Sequence, residues 1–321
     1  MQNSLRSNIA FYYKILQFVA KTSLSRSVKI KYLTIMIYNF KKIISIVILL
    51  IIVIGGIFYY RQNHRRTYTA LPPRQEINVT IIPGWNLRQI AADWIKKGII
   101  DSEDELYNIL GKPAYNYKAH REVAPIIFDV NTSTHNYFFK DKSEYLSFEG
   151  YLLPDTYRVY ADAKPEDVIR KILMNLDDKI TPEMRIEIDK QGKSFFEILT
   201  MASVVEKEAP SAESMGMVAD IFWRRYKQNW ALQSCATVNY ITGKSDPAVT
   251  DKDRAIDSLY NTYKYPGLPL GPISNPSLTA IKATIYPIEN DYWYFMSGDD
   301  GEMHYAKTLE EHNSNVFRYL R

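Results

Sequence analysis

"KSFFEILTMASVVEKEAP" (residues 193–210) is the stretch on which the fold turns. Ser194 and Glu197 have the S-x-x-E spacing of a capping box, in which each side chain satisfies an amide donor left free at a helix start. The helix after this box, through Val205 toward Pro210, is apolar almost all round, so it belongs inside a large domain rather than on its surface. Glu206, Lys207 and Glu208 close this dry segment. On a 3.6-residue helix Glu206 lies above Leu199, Ala202 and Ser203, whereas Glu208 lies above Met201, Val204 and Val205. Periodicity does not choose between them. Whichever glutamate faces inward sits where burial favours the protonated acid.

Raising a glutamic acid from a pKa of about 4.3 to about 6 takes roughly 2.3 kcal/mol of differential solvation, which aliphatic neighbours can supply. Such a group donates a proton near neutral pH, as cleavage of a glycosidic bond requires. Ordinary hydrolysis also wants a second carboxylate across the bond. Glu206 and Glu208 cannot form that pair, because they project about 160° apart around one helix.

Working outward, 321 residues leave room for two domains with cores of their own. A net charge of +4, 46% apolar and 24% charged residues favour neither disorder nor a nucleic-acid partner. The single cysteine, Cys235, excludes an internal disulfide, and the five histidines have no metal-ligand spacing, so neither metal nor cofactor is expected. "IISIVILLIIVIGGIFYY" (43–60) carries no charge and, at about 1.5 Å per residue, covers roughly 27 Å as a helix, close to the hydrocarbon thickness of a bilayer. No small-residue cleavage site comes after it, so the segment reads as an uncleaved single-pass anchor. Six Lys or Arg in 21–42 against four in 61–80 favour residues 1–42 as a cytoplasmic segment, with the remainder outside the membrane. Residues 61–76, with Pro72 and Pro73, read as a stiff juxtamembrane linker.

The exported part is expected to be α+β. Residues 77–110 give a strand, a Pro-Gly turn, a helix over 87–97 closed by Gly98, and a second helix capped near Asp101 or Ser102. No element is placed in 111–147. "FEGYLLPDTYRVY" (148–160) reads as two strand-like runs about a Pro-Asp turn, and amphipathic helices come next over 165–176 and from Pro182 to Gly192.

From Phe148 onward the chain resembles the YceG-like (MltG) family of endolytic murein lytic transglycosylases. "EGYLLPDTY" (149–157), "ASVVEKEA" (202–209), "LQSCATVNY" (232–240), "YNTYKYPGLPLGPISNPS" (260–277) and "HYAKTLEEHN" (304–313) occur in the family's order. The resemblance implies a membrane-anchored enzyme with a small LysM-like module (77–147, with its connection) and a catalytic domain (148–321). It implies catalysis by the first glutamate of the E-K-E stretch, Glu206. That residue would protonate the oxygen between N-acetylmuramic acid and N-acetylglucosamine, then deprotonate the muramoyl C6 hydroxyl, closing a 1,6-anhydro ring without water and ending strand elongation.

Peptidoglycan strands are the expected substrate, and the cell-wall synthases are the expected neighbours. Among the motif residues, Gln233, Asn261 and Asn275 offer amides to sugar hydroxyl and acetamido groups, and Tyr240 and Tyr263 offer ring faces. Glu149 assists electrostatically or ties the Pro154 turn. For each of these a turn-forming or core role is the competing reading. Two departures from the family pattern stand out: Arg224, Arg225 and Tyr226 where relatives have Asn-Arg-Leu, and Cys235 and Ala236 where they have Asp-Pro. A non-catalytic peptidoglycan-binding scaffold is therefore the alternative. A pyridoxal-phosphate lyase fails for want of a phosphate cup or a Schiff-base lysine context.

Overall fold

In a computed structural model of the chain, the described residues are 13–14, 17–18, 21, 25–63, 74–125, 136–244 and 249–320. Most of the N-terminal segment expected before residue 25, and residues 64–73 of the expected linker with Pro72 and Pro73, lie outside them. The chain divides into two compact units, Met1–Pro72 and Pro73–Arg321.

The first unit is built on helix α1, Arg26–Asn63. It is long and apolar enough to cross a membrane, and none of its residues is buried. The apolar run at 43–60 occupies its second half. The helix begins earlier than that run because residues 26–42 contain neither proline nor glycine, so nothing in the sequence stops it. At about 1.5 Å per residue α1 is roughly 57 Å long, nearly twice a bilayer's apolar thickness.

The second unit opens with strand β1 (Glu76–Thr80), helix α2 (Leu87–Lys96) and helix α3 (Glu103–Leu110). Asn86 caps α2 in a reciprocal box with Gln89, and Ser102 caps α3. Leu87, Ile90, Ala91 and Trp94 form the buried stripe of α2. The partner of β1 is β2 (Thr156–Tyr160), antiparallel and in register from Glu76↔Tyr160 to Thr80↔Thr156. That ladder crosses the division expected at residue 147, and ties the strand–helix–helix segment to the chain beyond it. A short helix α4 (Asn136–Phe139) lies in the stretch where no element was placed. Its Phe138 packs edge-on against Phe195, with ring centroids 4.7 Å apart.

Phe148–Pro154 looked strand-like but pairs with nothing in a sheet; only the second run, β2, is a strand. The segment is buried and irregular because tertiary contacts take over its backbone: Leu152 N–H donates to the Asn275 side-chain carbonyl at 2.9 Å. Gly150 sits at φ +88°, in the left-handed region, and a Cβ there would stand 2.6 Å from Cβ of Pro272. Gly150→Ala is accordingly expected to cost about 2–3 kcal/mol, read as a lower urea midpoint at unchanged slope.

Helices α5 (Pro165–Lys179) and α6 (Pro182–Lys190) lead to α7 (Phe195–Glu208), which carries the capping box foreseen at Ser194 and Glu197. Residues 198–205 of α7 are all buried. It packs against α6, α8 (Ala212–Lys227), α9 (Cys235–Thr242) and α11 (Leu278–Ile285), which accounts for its all-round apolar sequence. Helix α10 (Asp251–Arg254) precedes the loop 255–277. The chain closes with a hairpin, β3 (Tyr294–Ser297) and β4 (Met303–Ala306), and helix α12 (Leu309–Tyr319), which packs on it.

Candidate active site

Helix α7 ends with its two glutamates pointing to the starts of two other helices. The Glu206 carboxylate accepts the N–H of Ser277 at 2.9 Å and its hydroxyl at 2.6 Å. Ser277 is the N-cap of α11, and its oxygen also accepts from Ala280 N–H. Glu206 thus anchors the amino end of α11 to the carboxyl end of α7. Glu208 turns the other way. It accepts the hydroxyl of Ser234 and the backbone N–H of Ala236. Ser234 is the N-cap of α9 but makes no capping bond of its own, so the Glu208 carboxyl fills that place at the positive end of the helix.

Glu208 also faces a cavity of about 690 Å³. Its walls come from the end of α7 (Lys207, Glu208), from the Gly84 turn and the first turn of α2 (Arg88), and from α9 (Cys235, Ala236, Tyr240). Among the described residues Glu208 is the one carboxylic acid in the lining, and Glu206 is not part of it. Burial pushes the Glu208 carboxyl above the ordinary glutamate range; Ser234, the Ala236 N–H, and the charges of Arg225 and Lys207 pull it back. Arg225 is itself buried. Its guanidinium donates to the carbonyls of Leu232 and Trp293 and lies over the Trp230 ring. Burial thus favours the acid form of Glu208, and donors and a fixed cation are in place to receive its conjugate base.

A model of the YceG-like family matches residues 59–318 of this sequence. The chain belongs to the YceG-like family. It is similar to the endolytic murein transglycosylase of Bacillus subtilis (strain 168), 37% identical over 191 residues, which are 59% of this chain and 52% of that protein. It is also similar to the endolytic murein transglycosylase of Streptococcus pneumoniae serotype 2 (strain D39), 34% identical over 190 residues, 56% of this chain and 34% of the other. The match therefore spans about half or less of these curated relatives. A crystal structure of a putative YceG-like protein from Listeria monocytogenes superimposes with a TM-score of 0.60 at 31% identity, covering 81% of this chain and 80% of that one.

Within this YceG-like chain, three of the residues singled out from sequence meet in one buried network. Glu149, 1% exposed, accepts the Leu87 N–H at the start of α2 (3.1 Å), the Tyr240 hydroxyl (3.1 Å) and the Asn275 amide (3.0 Å). Tyr240 reaches the cavity wall, and its hydroxyl accepts from Ala114 N–H; Asn275 also binds the carbonyl of Trp85. The network holds the α2 wall against α9 and the 260–277 loop. Asn261 is fully buried and locks its own loop, donating to the carbonyls of Arg254 and Ile256 and accepting from Tyr263 N–H. Tyr263 places its hydroxyl 3.0 Å from the Cys235 sulfur. Gln233 is exposed; its left-handed backbone (φ +57°) and its N–H bond to Thr262 set up the Ser234 cap.

Arg88, Lys207 and Ser234 were not singled out from sequence. Ser234 stands directly before a helix and so carried an N-cap signal; nothing local marks Arg88. Ala236 was noted only as a departure. A proline at that position would have no N–H to give Glu208.

Proposed function

We propose that this protein is a membrane-anchored endolytic lytic transglycosylase that cuts the N-acetylmuramic acid to N-acetylglucosamine bond of peptidoglycan, with Glu208 as its acid and base. The observation that carries this reading is one desolvated carboxyl group, capped by Ser234 and Ala236, at the wall of a cavity large enough for sugar rings. This reading gives the catalytic role to the second glutamate rather than to Glu206, the one favoured by its place in the motif, because Glu208 lines the cavity and Glu206, bonded to Ser277, does not.

Protonated Glu208 donates to the departing glycosidic oxygen as the muramoyl ring becomes oxocarbenium-like. The carboxylate so formed is stabilised by the Ser234 hydroxyl, the Ala236 N–H and Arg225. It then accepts the proton of the muramoyl C6 hydroxyl as that oxygen attacks C1 and closes the 1,6-anhydro ring. One carboxyl suffices because the substrate supplies its own nucleophile, which suits a lining with a single acid among the described residues. Helix α1 supports the anchored reading. The opening β1–α2–α3 order, with β1 paired to β2 beyond α4, supports the LysM-like one, in which the first part of the second unit grips glycan.

Full-length protein in detergent, incubated with murein, should release fragments ending in 1,6-anhydromuramic acid, measured by mass spectrometry. Reducing ends would mean that water is the nucleophile and would overturn the lytic mechanism.

A further inference from the structure

The cavity in front of Glu208 has a cationic wall that the cleavage chemistry does not use. Arg88 and Lys207 both line it. Neither forms an ion pair with a carboxylate among the described residues. Arg88 is aimed by one bond to the carbonyl of Tyr240 (3.0 Å) and by its place over the Tyr240 ring, which leaves its remaining N–H donors unspent. The acid whose field it feels, Glu149, lies buried and is already bonded to Leu87, Tyr240 and Asn275. Lys207 reaches across the Gly84 turn toward its carbonyl (3.4 Å), over a glycine whose Cβ would press on the lysine chain at 3.3 Å. A third cation at the rim, Lys244, differs: both oxygens of Asp253 hold it. The cavity lining therefore carries two cations with no ion-pair partner among the described residues.

We infer that Arg88 and Lys207 form a carboxylate-binding subsite that reads the acidic substituent on the muramoyl residue beside the scissile bond. A guanidinium fork and an ammonium held in one recess suit a carboxylate, whose two oxygens accept from both. The neutral N-acetylglucosamine residue offers this wall no charge to pair. The muramoyl lactyl group does, either as a free carboxylate on peptide-free strands or through the carboxylates of an attached peptide. The subsite would also set polarity, since only the muramoyl side of the bond carries the anion. This inference rests on the transglycosylase reading for its substrate.

The test uses the full-length chain and three murein preparations: peptide-bearing strands, strands stripped of peptide so that the lactyl carboxylate is free, and stripped strands with that carboxyl converted to its neutral amide. Strand binding by Glu208→Gln protein is measured alongside cleavage by the unaltered protein. Stripped carboxylate strands are expected to bind and be cut about 10- to 100-fold better than the amide strands, the range of one or two charge-assisted bonds. Lys207→Met and Arg88→Met should shrink that ratio toward one. Comparison of the first two preparations tells which carboxylate is read. Equal handling of charged and amide strands, or an unchanged ratio in both variants, overturns the subsite. Because Arg88 also braces Tyr240, Lys207→Met, at an exposed position, is the variant that decides if Arg88→Met fails to fold. Charge-dependent binding without any cleavage would instead sink the enzymatic reading and leave this one standing.

Discussion

Glu208→Gln is expected to abolish 1,6-anhydro product while leaving the protein folded, a loss of roughly 10²- to 10⁴-fold or more in turnover. The amide is nearly isosteric and its carbonyl can still accept the Ser234 hydroxyl and the Ala236 N–H, so the α9 cap survives the change. What disappears is the proton. Glu206→Gln should behave in the opposite way. Its carboxylate accepts two donors from Ser277, and loss of that charge weakens the join between α7 and α11 by about 1–2 kcal/mol. Turnover per folded molecule should persist. Measuring anhydro-end formation and unfolding midpoint for both variants separates the roles: if Glu206→Gln is the inactive one, the acid has been assigned to the wrong glutamate. The pH profile adds a sign. Because burial raises the Glu208 pKa, the alkaline limb of kcat/KM, where the acid is lost, should lie above the ordinary glutamate range, and Glu208→Gln should leave no such limb.

Helix α7 was legible because two local signals agreed: a capping box at Ser194 and Glu197, and an apolar surface with no polar face. The choice between its glutamates was not, because both stand above apolar residues on the same helix. What separates them is which helix start each one meets. Those starts, at Ser234 and Ser277, come from distant parts of the chain, and no window of sequence contains them together with α7. Phe148–Pro154 failed for a related reason. Its apolar run fits a strand, but its N–H groups find partners outside any ladder: Phe148 and Tyr151 donate to the carbonyls of Leu110 and Phe148, and Leu152 to the Asn275 side chain. The family motifs did single out Glu149, Tyr240 and Asn275, though not that they meet. Residue type suggested sugar contacts for Tyr240 and Asn275, and electrostatic help or a tie to the Pro154 turn for Glu149; burial gives Glu149 and Asn275 the task of bracing the wall that Tyr240 lines. Arg88 and Lys207 were overlooked because a surface cation in a first or last helical turn is commonplace until a cavity is seen beside it.

The bracing task gives the second large effect. Glu149→Ala leaves the Leu87 N–H, the Tyr240 hydroxyl and the Asn275 amide facing a dry gap, at a cost of about 3–5 kcal/mol, a large share of the 5–15 kcal/mol typical of a folded domain. The same carboxyl makes stability depend on pH. Burial pushes its pKa from the usual 4.5 to about 7 in the folded protein, against the pull of the Leu87 N–H, the Tyr240 hydroxyl, Arg88 and the Gly150 N–H. The native state therefore holds a proton that the unfolded chain releases. Stability from this group is complete below about pH 4.5, falls as pH rises, and is lost once pH passes about 7, a change of about 3 kcal/mol. Glu149→Gln cannot titrate. Urea unfolding of full-length protein from pH 4 to 8 should show the unaltered chain losing stability across that window relative to Glu149→Gln. Parallel curves for the two would mean that Glu149 titrates alike in the folded and unfolded chain, and that its donors fully offset its burial.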